Sequence, residues 1–159
     1  GYAPNYNPAL PDAGLNTPIA SFSAQEERGR QLFMAGRGQG GLACAACHQP
    51  PTFALAANSR SNGLDAGETT VFEAPSLKSV SRSGAFMHDG RFASLEQVVE
   101  HYNSGVQDGP ALDNRLRAGN APRRLNLSAA DKAALVAFLR TLDDTALAGD
   151  ARFSSPFRQ

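Results

Sequence analysis

The chain has no tryptophan and only two cysteines, Cys44 and Cys47, in 159 residues. Two cysteines cannot build the disulfide framework of a small secreted scaffold. A zinc knuckle would pair their C-x-x-C spacing with a second tight pair, and none exists, although His88 and His101 lie downstream as isolated candidates. No strand–helix–strand pattern surrounds the pair, which argues against a thioredoxin-like redox motif. Charge excess is also missing: 15 basic and 15 acidic residues give a formal net charge of zero. Nucleic acid as the main partner would call for a basic surplus. No apolar run approaches the roughly 18 residues of a membrane span. No leader segment with a charged start and apolar centre is visible. What remains is a chain suited to one domain, 42% hydrophobic, with 15 glycines and 10 prolines, loop-rich and helical where it has a period.

The two cysteines stand in Cys44-Ala45-Ala46-Cys47-His48. C-x-x-C-H is the signature of covalent c-type haem attachment. Thiols at this spacing sit about one helical turn apart and can both reach the vinyl groups of one porphyrin. The adjoining His48 then offers its imidazole to the iron. One covalent haem c, with Cys44, Cys47 and His48 as its first protein partners, is the expectation. Such haems are attached outside the bacterial inner membrane, so a periplasmic chain whose leader has been removed is expected as well.

Around this motif the chain divides into three parts. Residues 1–22, with Pro4, Pro8, Pro11 and Pro18 and no period, read as an extended arm or linker; Tyr2, Tyr6, Leu10, Leu15 and Ile19 give it something to bury. Residues 23–144 read as the haem-bearing domain, and residues 145–159 as a tail. Within the domain, Ser23-Ala24-Gln25-Glu26 is a capping box opening a first helix, whose Gly29 and Phe33 offer a flat patch to a crossing helix. After His48, Pro50 and Pro51 turn the chain out, and a carbonyl there is the expected acceptor for the Nδ1 hydrogen of His48. Residues 54–74 read as a long loop and 75–80 as a short helix. Ser94-Leu95-Glu96-Gln97 caps a further helix, with Leu95, Val98, Val99 and Tyr102 on one face and His101 about 100° off it. Residues 103–127 read as another loop. A last helix opens at Ser128 and buries Leu135, Phe138, Leu139 and Leu142. The order of capped helix, haem motif, ligand region and capped terminal helix resembles a class I cytochrome c. It predicts an all-α domain with long loops around the haem, in which Gly29 and Phe33 meet Phe138 and Leu139.

The residue facing His48 across the iron is open on these grounds. Met34, Met87, His88, His101 and Tyr102 carry suitable atoms. Met34 reads as packing. Met87 carries the ordinary expectation of a high-potential His/Met haem. His88 sits in a turn and could cap it or bond a propionate, and either His88 or His101 could move a proton for a peroxide substrate. Tyr102 needs a partner for its hydroxyl. A stand-alone electron carrier and a monohaem peroxidase are therefore both compatible with the residues.

A longer pattern bears on that choice. Pro75-Ser76-Leu77-Lys78-Ser79-Val80, Phe86-Met87-His88-Asp89-Gly90-Arg91-Phe92 and Ser94-Leu95-Glu96-Gln97-Val98-Val99-Glu100-His101-Tyr102-Asn103 together resemble the C-terminal haem domain of bacterial dihaem cytochrome c peroxidases and MauG-type enzymes. The resemblance runs from about Ser23 to Asp144. It implies His48 and Tyr102 as the axial pair of the iron, in the manner of the MauG-like branch, where the peroxidase branch has methionine at the place of Tyr102. It implies catalytic roles for Tyr102 and His88, and Met87 and Arg91 beside the cofactor, with Met87 not binding iron. It implies a second haem-bearing domain or subunit, a redox protein as electron donor or acceptor, and a calcium ion between the two domains, reached by the carbonyls of Ser83 and Ala85. A tyrosinate ligand favours ferric and higher oxidation states and lowers the potential, which suits an enzyme of peroxide- or oxygen-dependent oxidation.

Overall fold

A computed structural model describes residues 15–144. The tail at 145–159 and residues 1–14 of the arm, with Tyr2, Tyr6 and Leu10, lie outside them. Three α-helices carry the architecture: α1 (Ala24–Met34), α2 (Leu95–Glu100) and α3 (Ala129–Arg140). Two two-residue antiparallel pairs are the only sheets among the described residues. β1 (His48–Gln49) pairs with β2 (Ala54–Leu55), and β3 (Arg117–Ala118) with β4 (Ala121–Pro122). The all-α expectation with long loops holds. No helix among the described residues is long and apolar enough to cross a membrane.

All three helices start on a serine, and the caps differ in how they are completed. In α1 the box is reciprocal: Ser23 Oγ accepts from Glu26 N–H at 3.3 Å, and Glu26 accepts from Ser23 N–H at 2.7 Å. In α2, Ser94 Oγ accepts from Gln97 N–H, but Gln97 accepts from Ala93 N–H rather than from the cap itself. In α3, Ser128 Oγ accepts from Asp131 N–H, while the Asp131 carboxylate reaches across to Arg28 Nε of α1 at 2.9 Å. A cap residue on the last helix thus also pins it to the first.

The core lies where α1 crosses α3. Gly29 packs directly on the backbone of Ala134 and on Phe138. The Phe33 and Phe138 rings are 5.2 Å apart, and Phe53 and Phe22 close the cluster from the loops at 6.0 and 6.3 Å. Leu135, Phe138, Leu139 and Leu142 are all buried. Leu15 also belongs to this core, fully enclosed, with its carbonyl accepting from the buried Arg30 guanidinium. The core therefore begins eight residues before the first capped helix.

The two long loops are stitched to each other. Ser61 and Leu112 form a parallel bridge through Ser61 N–H to Ala111 O and Asp113 N–H to Ser61 O, both 3.0 Å. Gln107 N–H reaches Gly63 O, Gly67 N–H reaches Asp108 O, and Ala111 N–H reaches Glu68 O. The short helix expected at 75–80 is absent; a 3₁₀ turn forms at Val80–Arg82 instead. Leu77 N–H is taken by Phe53 O, the Ser76 hydroxyl by Thr52 O, and Ser79 adopts φ +57°, so the local helix loses to tertiary hydrogen bonds.

Candidate haem site

The haem motif hangs from the end of α1. Leu42 N–H bonds Leu32 O at 2.7 Å and Ala43 N–H bonds Ala35 O at 3.0 Å, so the chain folds straight back onto the helix it has just left. Ala43 is left-handed at φ +59°, and a single 3₁₀ turn, Cys44–Ala46, follows. Cys47 N–H closes it on Cys44 O at 3.1 Å, which sets the two thiols one tight turn apart. From outside, Arg115 clamps the turn. Its Nη1 donates to Ala46 O at 2.9 Å, and its other nitrogens reach Asn58, Ser59 and a fork onto the buried Asp113. Neither Arg115 nor Asp113 stands out in the sequence, because their value comes from the loop pairing that brings 113–115 against 58–61.

The chemistry of the three motif residues fits a haem. Both cysteines are free. Burial pushes the Cys44 thiol up to about 12 and raises Cys47 as well, so neither is a thiolate at neutral pH. Burial lowers His48 to about 4, which keeps the imidazole neutral, the form that binds a metal. The carbonyl expected to accept from Nδ1 is not in place: Nδ1 is buried with no hydrogen-bond partner. The Gln49 carbonyl, just before the two prolines, is engaged elsewhere, accepting from Phe53 N–H at 2.7 Å and from the Thr52 hydroxyl. Two neutral thiols and a neutral imidazole are the donor set that covalent haem attachment uses.

Facing the thiols is the end of α2. After Glu100 the helix widens into a π turn, His101–Gly105. The wider turn advances each residue by less than 100°, so the faces drift from the α-helical expectation. His101, expected off the apolar face, is buried, and Tyr102, expected on it, is half-buried. His101 Nε2 meets Asn62 O at 3.1 Å, and its ring lies between Phe92 and Tyr102. Gly105 leaves room for it; a methyl there would stand 3.2 Å from His101 Nδ1. Desolvation lifts the Tyr102 hydroxyl to about 12; the Asn62 side chain draws it back down, and the neighbourhood of Cys44 and Cys47 adds to the rise. Asn62, unremarkable in sequence, also donates from Nδ2 to Met87 Sδ at 3.2 Å.

The remaining predicted residues sit further out. His88 is exposed and stacked on Phe72, with ring centroids 3.7 Å apart, and its nitrogen gathers with Asp65 and Glu68 oxygens within 4.8 Å. Arg91 is held by Asp89 and Asp65 and donates to Leu64 O, so its guanidinium fastens the His88 turn to the 54–74 loop. Ser83 and Ala85 are exposed. Met34 is half-buried against the core.

Comparisons with known proteins find relatives in sequence and in fold. The sequence profile described as di-haem cytochrome c peroxidase matches residues 23–152. The methylamine utilization protein MauG of Methylorubrum extorquens is 31% identical over 137 residues, covering 77% of this chain and 36% of its own length. The cytochrome-c peroxidase IdrP2 of Denitromonas iodatirespirans is 36% identical over 78 residues, 49% of this chain and 18% of its own. Among solved structures, a MauG-like protein associated with microbial copper homeostasis superposes with a TM-score of 0.66 at 29% identity, over 86% of this chain and 49% of that one. The chain spans half or less of the length of each of these relatives.

Proposed function

Since the chain belongs to the di-haem cytochrome c peroxidase family, we propose that it is a periplasmic haem c redox domain handling electrons for peroxide- or oxygen-dependent oxidation, with His48 and Tyr102 as the axial ligands of its iron. The observation that supports the reading is that the buried Tyr102 hydroxyl lies in the neighbourhood of Cys44 and Cys47, beside which His48 is neutral. Haem, when bound, supplies the one-electron couple. The protein residues do the rest. Cys44 and Cys47 would hold the porphyrin through their thiols, and His48 would bind its iron. Tyr102 would be the second iron ligand, as a phenolate, a hard anionic donor that favours the higher oxidation states over a thioether.

A free hydroxyl raised to about 12 is protonated at neutral pH, so to serve as a ligand Tyr102 would have to give up that proton to solvent. The charge of a bound metal would favour that loss, just as it lowers the pKa of bound water. The second haem lies in a further domain or subunit, with a redox protein as donor or acceptor. Calcium between the two is reached by the carbonyls of Ser83 and Ala85. His88, on the surface, serves that interface or proton delivery at it.

Electron paramagnetic resonance of the ferric holoprotein, with and without Tyr102→Phe, tests the ligand assignment. A changed ligand-field signature is expected. An unchanged spectrum overturns it and favours the alternative of a His48/Met87 carrier, which Met87→Leu would then disrupt.

A further inference from the structure

We propose that Asn62 is a positioning residue that holds the Met87 sulfur away from the iron while steering the Tyr102 oxygen toward it. The proposal rests on Tyr102 as the distal ligand. Two rival ligands lie beside one side chain: Asn62 Nδ2 donates to Met87 Sδ at 3.2 Å, and the same side chain draws the Tyr102 hydroxyl down against the effect of burial. The backbone of Asn62 adds a third hold, since its carbonyl meets Nε2 of His101, the residue before Tyr102, at 3.1 Å.

Asn62 is itself fixed from both sides. Ser61 exchanges backbone bonds with Ala111 and Asp113, and Gly63 O accepts from Gln107 N–H at 2.8 Å. Ser61 Oγ accepts from Gly63 N–H at 2.9 Å, bracing the turn beneath Asn62. Gly63 adopts φ +66°, and a methyl there would stand 2.6 Å from Gln107 O, so the backbone at this point has one fit. On the other side, Met87 is held at φ +71°, a conformation that a long side chain rarely takes. A rigid amide and a constrained methionine thus meet at one hydrogen bond.

The chemistry gives that bond a consequence. A thioether is a weak acceptor, and engaging its lone pair and fixing its direction makes it a poorer iron ligand. A phenolate oxygen bound to iron keeps a lone pair for an N–H donor, so the amide supports the oxygen ligand and restrains the sulfur ligand. Without the amide hydrogens, Met87 gains freedom to compete.

The test uses the ferric holoprotein carrying Asn62→Leu, of similar volume and without a donor. The red charge-transfer absorption of methionine-bound ferric haem should appear and the reduction potential should rise. Both changes should disappear in the double variant Asn62→Leu with Met87→Leu, whose spectrum should match that of Met87→Leu alone. A rearrangement that only loosened the fold would not depend on Met87 in this way. If Asn62→Leu does not fold, Asn62→Ala, which keeps the backbone bond and brings neither a donor nor a charge, is measured with the same expectations. A folded variant with wild-type spectrum and potential overturns the proposal. Should that happen while Tyr102→Phe still changes the resonance spectrum, the Asn62 role falls and the Tyr102 assignment stands; an unchanged Tyr102→Phe spectrum removes both.

Discussion

Gly29→Ala should destabilise the domain by about 2 kcal/mol, although alanine is the better helix former. The added methyl would stand 2.0 Å from Ala134 O, 2.7 Å from Ala134 C and 2.7 Å from Phe138 Cβ. Ordinary van der Waals contact starts near 3.4 Å, so the contact is more than an ångström short. Its closest partner is backbone, and no rotamer change can relieve it. The helices must part by about 1 Å, and a gap of that size forfeits a quarter to a half of each dispersion contact across the seam. Overpacking of this kind costs roughly 1–3 kcal/mol, here toward the upper end, and the helix propensity gain returns about 1 kcal/mol. The shift also reaches the haem motif, because Leu42 and Ala43 hang from Leu32 and Ala35 of α1. Thermal or urea unfolding of the holoprotein reads the effect, with a fall in Tm of roughly 6–10 °C for a domain of this size. Gly84→Ala is the control, since its methyl meets nothing within 4 Å. A Gly29→Ala protein as stable as the control would refute the close-crossing argument.

Two further outcomes follow from the loop network. Arg115 hydrogen-bonded to Asp113 holds that buried carboxyl down to about 2. A depressed carboxyl contributes its stability above the unfolded value near 4 and loses it as pH falls toward 2, so Asp113→Asn should cost about 2 kcal/mol at pH 7 and roughly half of that near pH 3. Denaturant unfolding of both proteins across that range checks it; a pH-independent gap would contradict the assignment. Asn103 is buried, donating to Glu100 and accepting from Leu127 N–H at 2.8 Å. Asn103→Ala leaves that N–H unpartnered and should cost about 1–3 kcal/mol. Hydrogen exchange at the Leu127 amide should quicken, and unchanged protection would show that the bond is not made in solution.

What the sequence discloses here depends on the range of the interaction. Serine caps, the Gly29 seam and the apolar stripe of α3 are local or periodic, and the structure reproduces them. The C-x-x-C-H motif is legible for the same reason: attachment chemistry demands a fixed spacing inside one turn. Partners chosen by tertiary contact were not legible. The serine caps at Ser94 and Ser128 form but are not returned, because the Gln97 and Asp131 side chains find partners in Ala93 and Arg28. The 75–80 helix fails because Phe53 and Thr52 claim its polar groups.

The same distinction explains the site. His101 and Tyr102 exchange burial because α2 ends in a π turn, and a period read at 100° per residue cannot anticipate that change. Asn62, Asp113 and Arg115 have no motif because each acts through the pairing of two segments about fifty residues apart. On the ligation proposed above, that pairing would set what faces the haem. It fixes Asn62, whose amide donates to Met87 beside Tyr102, and it anchors Arg115, which clamps the Cys44–Ala46 turn at Ala46. The attachment motif is therefore written in five consecutive residues, whereas the proposed choice between oxygen and sulfur falls to two loops that read, one at a time, as filler.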